Sequence, residues 1–256
     1  MTLKFRPVLK VAFETFRRNP LGAMKKFFVS ESRRRFALAL RDPDGAGIKM
    51  DRPWQERDGI RQRQYDSYDD YLRHQAGKLT LSYDHLMEHE KRAYQDFRAR
   101  FETCVELKEK RVVLCLAARL GTEVRAFQDL GHFAIGIDLE PGPKNPLVMY
   151  GDFHNLAFKD GSVDAVYCNA LDHAFNLDKV MAEVRRVLAP CGIFIADVVN
   201  GSEEGHTPDN FDCTHWSLAS DFAEILGNKS GLTLSSMRNL ADIGDASWNQ
   251  AVFCKG

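Results

Sequence analysis

The sequence predicts an α/β fold with a doubly wound, mostly parallel sheet. Three observations predict it. Between residues 111 and 199, short apolar runs alternate with segments of helical spacing, the pattern of successive βαβ units. The runs are continuous rather than alternating, as strands buried on both faces require. Turns rich in glycine and acidic or amide side chains follow the runs at one end, where open α/β sheets bind ligands.

The organising stretch is 111–138, RVVLCLAARLGTEVRAFQDLGHFAIGID. Val112, Val113, Leu114, Cys115 and Leu116 form a brief apolar run that suits a buried strand. A turn over 117–121 follows. Thr122, Glu123, Val124, Ala126, Phe127 and Leu130 give helical spacing, and Gly131 stops the helix. A second strand, 133–137, ends at Asp138. The helix start aims backbone N–H groups at the turn. Asp138 is an acceptor-only side chain where a ribose diol would sit. A plain crossover with a strand-terminal Asp as turn residue reads equally well from this stretch alone.

Downstream, the cluster Pro141 to Pro146 is a loop and 147–150 a short strand ending in Gly151-Asp152-Phe153. Residues 163–168 are a further buried strand leading into Asn169-Ala170-Leu171-Asp172-His173. A helix over 177–188 carries Val180, Met181, Val184, Val187 and Leu188 on one side; Pro190-Cys191-Gly192 breaks it, and 193–199 is another strand. A helix from Ser217, as N-cap, to Leu226 and strands over 232–237 and 247–254 complete the pattern.

Residues 1–41 are strongly basic, with Phe5, Val8, Leu9, Ala12, Phe13 and Phe16 at helical spacing. Such a helix packs on the main domain with its charges solvated, or lies on an anionic membrane. The Pro-, Gly- and Asp-rich stretch 42–63 reads as a linker. The expected division is therefore a basic N-terminal extension and linker over 1–63, and a main domain over 64–256 with its core sheet in 108–256. Two helices lead the main domain. His85 and His89 share a face of the second, but no third ligand accompanies them, so a solvated pair is expected and no metal site.

Composition narrows the function. The chain has 256 residues and a formal net charge of -1, which argues against a nucleic-acid coat. None of the six cysteines forms a C-x-x-C pair, so a metal knuckle or redox motif is not suggested. No apolar run reaches about 18 residues, and the start lacks a secretory core. A cytoplasmic protein is expected, with peripheral membrane contact through residues 1–41 as an option.

Four pieces in this order resemble the Rossmann-type (class I) S-adenosylmethionine-dependent methyltransferases of the small-molecule kind. They are Val113-Leu114-Cys115-Leu116 through Gly121, GIDLEPG at 136–142, GDFHNLAFKDGSVDAVYCNALDHAF, and EVRRVLAPCGIFI. The resemblance implies a seven-stranded Rossmann-like sheet and S-adenosylmethionine as cofactor. It implies that Ala117, Arg119 and Gly121 lie against the methionine part, with Asp138 and Leu139 at the ribose. Asp152 and Phe153 would meet the adenine, and Asn169 to His173 would form the floor beside the methyl group. Asp172 and His173 are the candidate bases, the alternative being a capping Asp and a packing His. The acceptor is expected to be a small molecule, lipid or glycan. His206, His215 and Trp216 fall where related enzymes bring substrate-covering segments.

The first motif departs from the family. Its acid is Cys115, and two of its glycines are Ala117 and Arg119; Cys191 replaces a glycine near the fifth strand. Arg119 is expected to turn toward Glu123 or toward the cofactor's carboxylate. Two other classes stay open: a binding module that has lost turnover, and a dehydrogenase, disfavoured because G-x-G-x-x-G is missing.

Overall fold

The computed structural model describes residues 52–142 and 144–256, with backbone only for 77–91. Residues 1–51, and with them the basic segment, lie outside the described residues, as do the side chains of His85 and His89. The elements in chain order are β1 (Trp54–Arg57), β2 (Ile60–Arg63), α1 (Tyr68–Glu102), β3 (Val112–Leu116), α2 (Thr122–Asp129) and β4 (Phe133–Asp138). After them come β5 (Val148–Tyr150), β6 (Val163–Cys168), α3 (Leu177–Val187), β7 (Leu188–Val199), β8 (Thr214–Trp216), α4 (Ala219–Ser230), β9 (Thr233–Asn239) and β10 (Trp248–Cys254).

The chain divides into two compact units. Among the described residues, the smaller comprises 52–53 and 64–84, the larger 54–63 and 85–256. In the smaller, Arg52 holds both carboxylate oxygens of Asp70, at 2.5 and 2.8 Å, and its guanidinium lies 4.7 Å from the Tyr65 ring centroid. Ser67 Oγ accepts from Asp70 N–H at 3.2 Å and so caps the start of α1.

The larger unit holds a seven-stranded sheet in the order β5-β4-β3-β6-β7-β10-β9. The five strands from β3 to β7 run parallel, and β10 is antiparallel to both of its neighbours. The order reverses between β3 and β6, so the carboxyl ends of those two strands flank the switch-point crevice. Leu114, Leu116, Val166, Phe194 and Phe253 pack on one face with α3 and α4; Val113, Cys115, Tyr167 and Ile195 pack on the other with Phe101, Phe127 and Leu107. Phe101 stacks on Phe127 at 3.7 Å, with Tyr167 edge-on to both. Asp164 Oδ2 accepts from the backbone of Arg111 and Val112, at 2.9 and 3.0 Å, and pins the entry to β3.

A buried polar spine crosses the second face. Asp197, 2% exposed, accepts from Arg100 at 3.0 Å, Tyr167 OH at 2.6 Å and Gln250 Nε2 at 3.0 Å. Arg238 donates to Gln250 Oε1 and to the Arg100 carbonyl, at 2.8 and 2.9 Å. Every member of the spine is held by another, as a buried charge demands.

Several local expectations change. The two leading helices are one, Tyr68–Glu102; a single Gly77 costs about 1 kcal/mol in a helix, too little to break one without a proline. The linker stretch contains a hairpin: Asp58 and Gly59 both take positive φ, 52° and 78°, and join β1 to β2. The Ser217 cap is not used; α4 starts at Ala219 behind Leu218. The fifth strand of the parallel set begins at Leu188 rather than Ile193, with Cys191 at φ 59° inside it.

Candidate functional site

The carboxyl ends of the parallel strands bring together most of the residues singled out in the sequence. At the end of β3 the chain turns through Ala117, Arg119 and Gly121, with φ of 54°, 39° and 79°. All three are left-handed. The two substituted glycines of the motif therefore keep the glycine conformation, at about 1–2 kcal/mol each. Cys191, the third substitution, does the same. Gly121 could not be replaced cheaply: a Cβ there would lie 2.8 Å from Leu147 Cβ, and one on Gly136 would lie 2.7 Å from Ala118 Cβ. The turn, β4 and the side chains of Leu147 and Val148 crowd together at this point.

Asp138, half-buried at the tip of β4, clamps the turn. Its Oδ2 accepts from Arg119 N–H at 2.9 Å and its Oδ1 from Glu140 N–H at 2.7 Å. A carboxylate offers about four lone pairs, so each oxygen can accept once more. Asn145, not singled out in the sequence, bridges the same turn: it donates to the Arg119 and Pro141 carbonyls, at 3.0 and 2.8 Å, and accepts from Leu147 N–H at 3.0 Å. The Arg119 guanidinium forms no ion pair with Glu123 among the described residues, which corrects one of its two expected partners. Glu123 is instead buried in the first turn of α2, close enough to Cys115 and Cys168 to help burial push both thiols up.

Asp152 follows β5, beside Asp138; the Asp138 carbonyl accepts from Gly151 N–H at 3.0 Å. Asp152 Oδ1 accepts from both the backbone and Nδ1 of His154, each at 2.8 Å, and His154 Nε2 accepts from Asn176 N–H at 3.2 Å. These bonds assign the His154 proton to Nδ1 and tie Asp152 to the start of α3. Glu183 and Arg186 fix the rest of this loop through the backbone of Leu156 and Phe158. The Phe153 N–H has no hydrogen bond to a described residue.

Beyond β6, Asn169 is half-buried and the short 3-10 turn Leu171–His173 follows. His173 Nδ1 lies 3.0 Å from the Phe211 carbonyl, which makes Nδ1 the donor. Its Nε2 lies 3.6 Å from Asp172 Oδ2, and Nδ1 lies 3.9 Å from Asp212 Oδ1. Donor atoms of Asp172, His173 and Asp212 all fall within 4.8 Å of one another. Asp212 was not singled out in the sequence. The signal that could have found it is the D-N-F-D turn at 209–212, in which Asp209 Oδ1 accepts from Phe211 N–H and Asp212 N–H, at 2.6 and 3.1 Å. Buried Arg63 of β2 holds this turn by the carbonyls of Asp212 and Asp209, at 2.7 and 2.9 Å.

Burial, with Asp172 and Asp209 nearby, pushes the Asp212 carboxyl up from 3.8 to about 9. Between those values the folded chain holds a proton that the unfolded chain has released. Stability is therefore lost as pH rises across that window. Asp212→Asn, which mimics the protonated carboxyl, is expected to flatten this decline. Urea unfolding of both proteins from about pH 5 to about pH 8.5 measures it; parallel pH profiles would show that Asp212 is already ionised.

Trp216 is core: it is 3% exposed, stacks on Phe222 at 3.9 Å and donates to the Val199 carbonyl at 2.9 Å. No helix among the described residues is long and apolar enough to cross a membrane.

Comparison with known proteins agrees with this fold. Residues 114–196, spanning β3 to β7, match the family described as methyltransferase domain. The sterol 24-C-methyltransferase ERG6B of Gibberella zeae is 53% identical over 45 residues, 17% of this chain and 12% of that protein. The chain thus matches only a small part of that relative's length. The 1,6-didemethyltoxoflavin-N1-methyltransferase of Burkholderia thailandensis, solved with 1,6-didemethyltoxoflavin and S-adenosylhomocysteine, superposes with a TM-score of 0.57 at 15% identity, over 75% or more of both chains (79% of this chain and 98% of that one). The CcbJ methyltransferase of Streptomyces caelestis superposes with a TM-score of 0.51 at 18% identity, over 63% of this chain and 90% of that one. At these identities the likeness is one of fold.

Proposed function

We propose that this chain, whose residues 114–196 match a methyltransferase-domain family and whose sheet has the class I order, methylates a small-molecule acceptor and that His173 takes the acceptor's proton. The observation that carries the reading is the convergence of Asp138, Asp152 and the 169–173 turn on one sheet edge, with Asp138 already clamped to the left-handed 117–121 turn.

The residues fit S-adenosylmethionine. Asp138 retains acceptor capacity for two sugar hydroxyls, and Asp152 with the Phe153 N–H offers an acceptor and a donor side by side for adenine. Ala117, Gly121 and Leu139 supply the walls, and Arg119 a cation for the amino-acid carboxylate. When bound, the cofactor supplies an electrophilic methyl group on a sulfonium. The chain's own part is to align the acceptor and remove its proton. His173 Nε2 is the basic nitrogen because Nδ1 donates to Phe211; Asp172 at 3.6 Å stabilises the imidazolium that forms. A sterol or other lipid acceptor is a narrower reading favoured only by the short ERG6B match.

Calorimetry with S-adenosylmethionine, S-adenosylhomocysteine and NAD tests the cofactor. Micromolar binding of the first two, about 8 kcal/mol, and none of NAD is expected. Arg119→Gly should weaken both adenosyl ligands about tenfold, one charged hydrogen bond's worth. Unchanged or tighter binding would remove Arg119 from the site, and NAD binding alone would overturn the methyltransferase reading.

A further inference from the structure

Beside the methyl-transfer edge lies a second, three-stranded sheet, β1-β2-β8. It adjoins the 171–173 turn directly: Cys213 N–H donates to the Asp172 carbonyl at 2.6 Å, and Thr214 Oγ1 to the Ala174 carbonyl at 3.0 Å. One face of this sheet packs into the core through Ile60 and Trp216. The opposite face carries Trp54, Arg61, Arg63 and His215. The Trp54 ring lies near two guanidinium groups, at 4.6 Å from Arg63 and 5.9 Å from Arg61, with the His215 ring 6.4 Å away. His206, from the segment after β7, brings its ring to 5.8 Å from His215.

His215 is the unusual member. It is 3% exposed, and its ring nitrogens hydrogen-bond to no described residue but are not sealed from solvent. Its ring faces cations: burial, then His206 and Arg61, push the imidazole below the usual value. Glu56 is the cross-strand neighbour of Arg61, but the two form no ion pair among the described residues. Arg63 is committed to the carbonyls of Asp209 and Asp212. Among the described residues, three nitrogen-bearing side chains thus converge without an anion, next to the turn that would remove the acceptor's proton.

Resting on the methyltransferase reading, we propose that Arg61, His206 and His215 receive an oxyanion, a phosphate or carboxylate carried by the methyl acceptor. The planar guanidinium and two imidazoles can donate to separate oxygens, and the Trp54 face orders the Arg61 stem beside them. The acceptor class is then an anionic small molecule. Its charged group docks on β2 and β8 while its reactive atom reaches His173.

The test is made without cofactor or acceptor, so it is independent of whether the adenosyl site works. Imidazole C–H resonances of the full chain are followed against pH, assigned with His206→Gln and His215→Gln, in the absence and presence of inorganic phosphate or acetate. Either anion should raise the His215 midpoint saturably by about 1 unit, tenfold in proton affinity. The anion that does so at lower concentration identifies the class. Arg61 is exposed, so Arg61→Gln should fold and should weaken the response at least fivefold. An unmoved His215 midpoint with both anions, or an equal response in Arg61→Gln, overturns the proposal.

Discussion

Replacing Asp138 by Asn is expected to weaken S-adenosylmethionine binding about 100-fold, or about 2.7 kcal/mol. Two contributions add. Hydrogen bonds from sugar hydroxyls to a charged acceptor are worth about 1.5–3 kcal/mol each, and an amide loses the charge. The amide nitrogen must also face either Arg119 N–H or Glu140 N–H, which now donate to the two carboxylate oxygens at 2.9 and 2.7 Å. Donor against donor there opens the 117–121 turn. Calorimetry of the variant, with a melting curve in the absence of cofactor, separates lost contact from lost turn. A dissociation constant within about threefold of the parent would mean that the sugar does not rest on Asp138.

Asp197→Ala is expected to cost about 3–5 kcal/mol of folding stability, because it strands a buried guanidinium. Arg100 is 6% exposed and sits 3.0 Å from Asp197; its next carboxylate, Asp245, is 3.9 Å away. Tyr167 and Gln250 lose their acceptor as well. The melting temperature should fall by about 10 °C for a chain of this size. The double change Arg100→Met with Asp197→Leu should recover most of the loss, since an apolar pair of similar volume avoids the unpaired charge. A single-variant loss below about 1 kcal/mol would show that water reaches Arg100.

The strands of the parallel sheet, the helix over 122–129 and the acid at the end of β4 were legible in the sequence, because each is written in neighbours a few residues apart. Continuous apolar runs specify buried strands, helical spacing specifies the crossover, and chain direction then dictates which ends of the strands share an edge. Asp138, Asp152 and the 169–173 turn follow from that geometry. The substituted motif was half legible. Ala117, Arg119 and Cys191 could be seen to replace glycines, but only the folded backbone shows all three still left-handed.

What the tertiary structure alone decided is which distant side chains meet. The hairpin at 54–63 reads locally as a linker because its outer strand, burial pattern one half-buried and three exposed residues, carries no apolar signature; pairing of β2 with β8 gives it a place. His173 meets Asp212, and Asp197 meets Arg100, across long stretches of chain. Charged residues in a sequence look solvated by default. Only packing that removes water from them forces each to find a partner, and that choice is made by the fold as a whole.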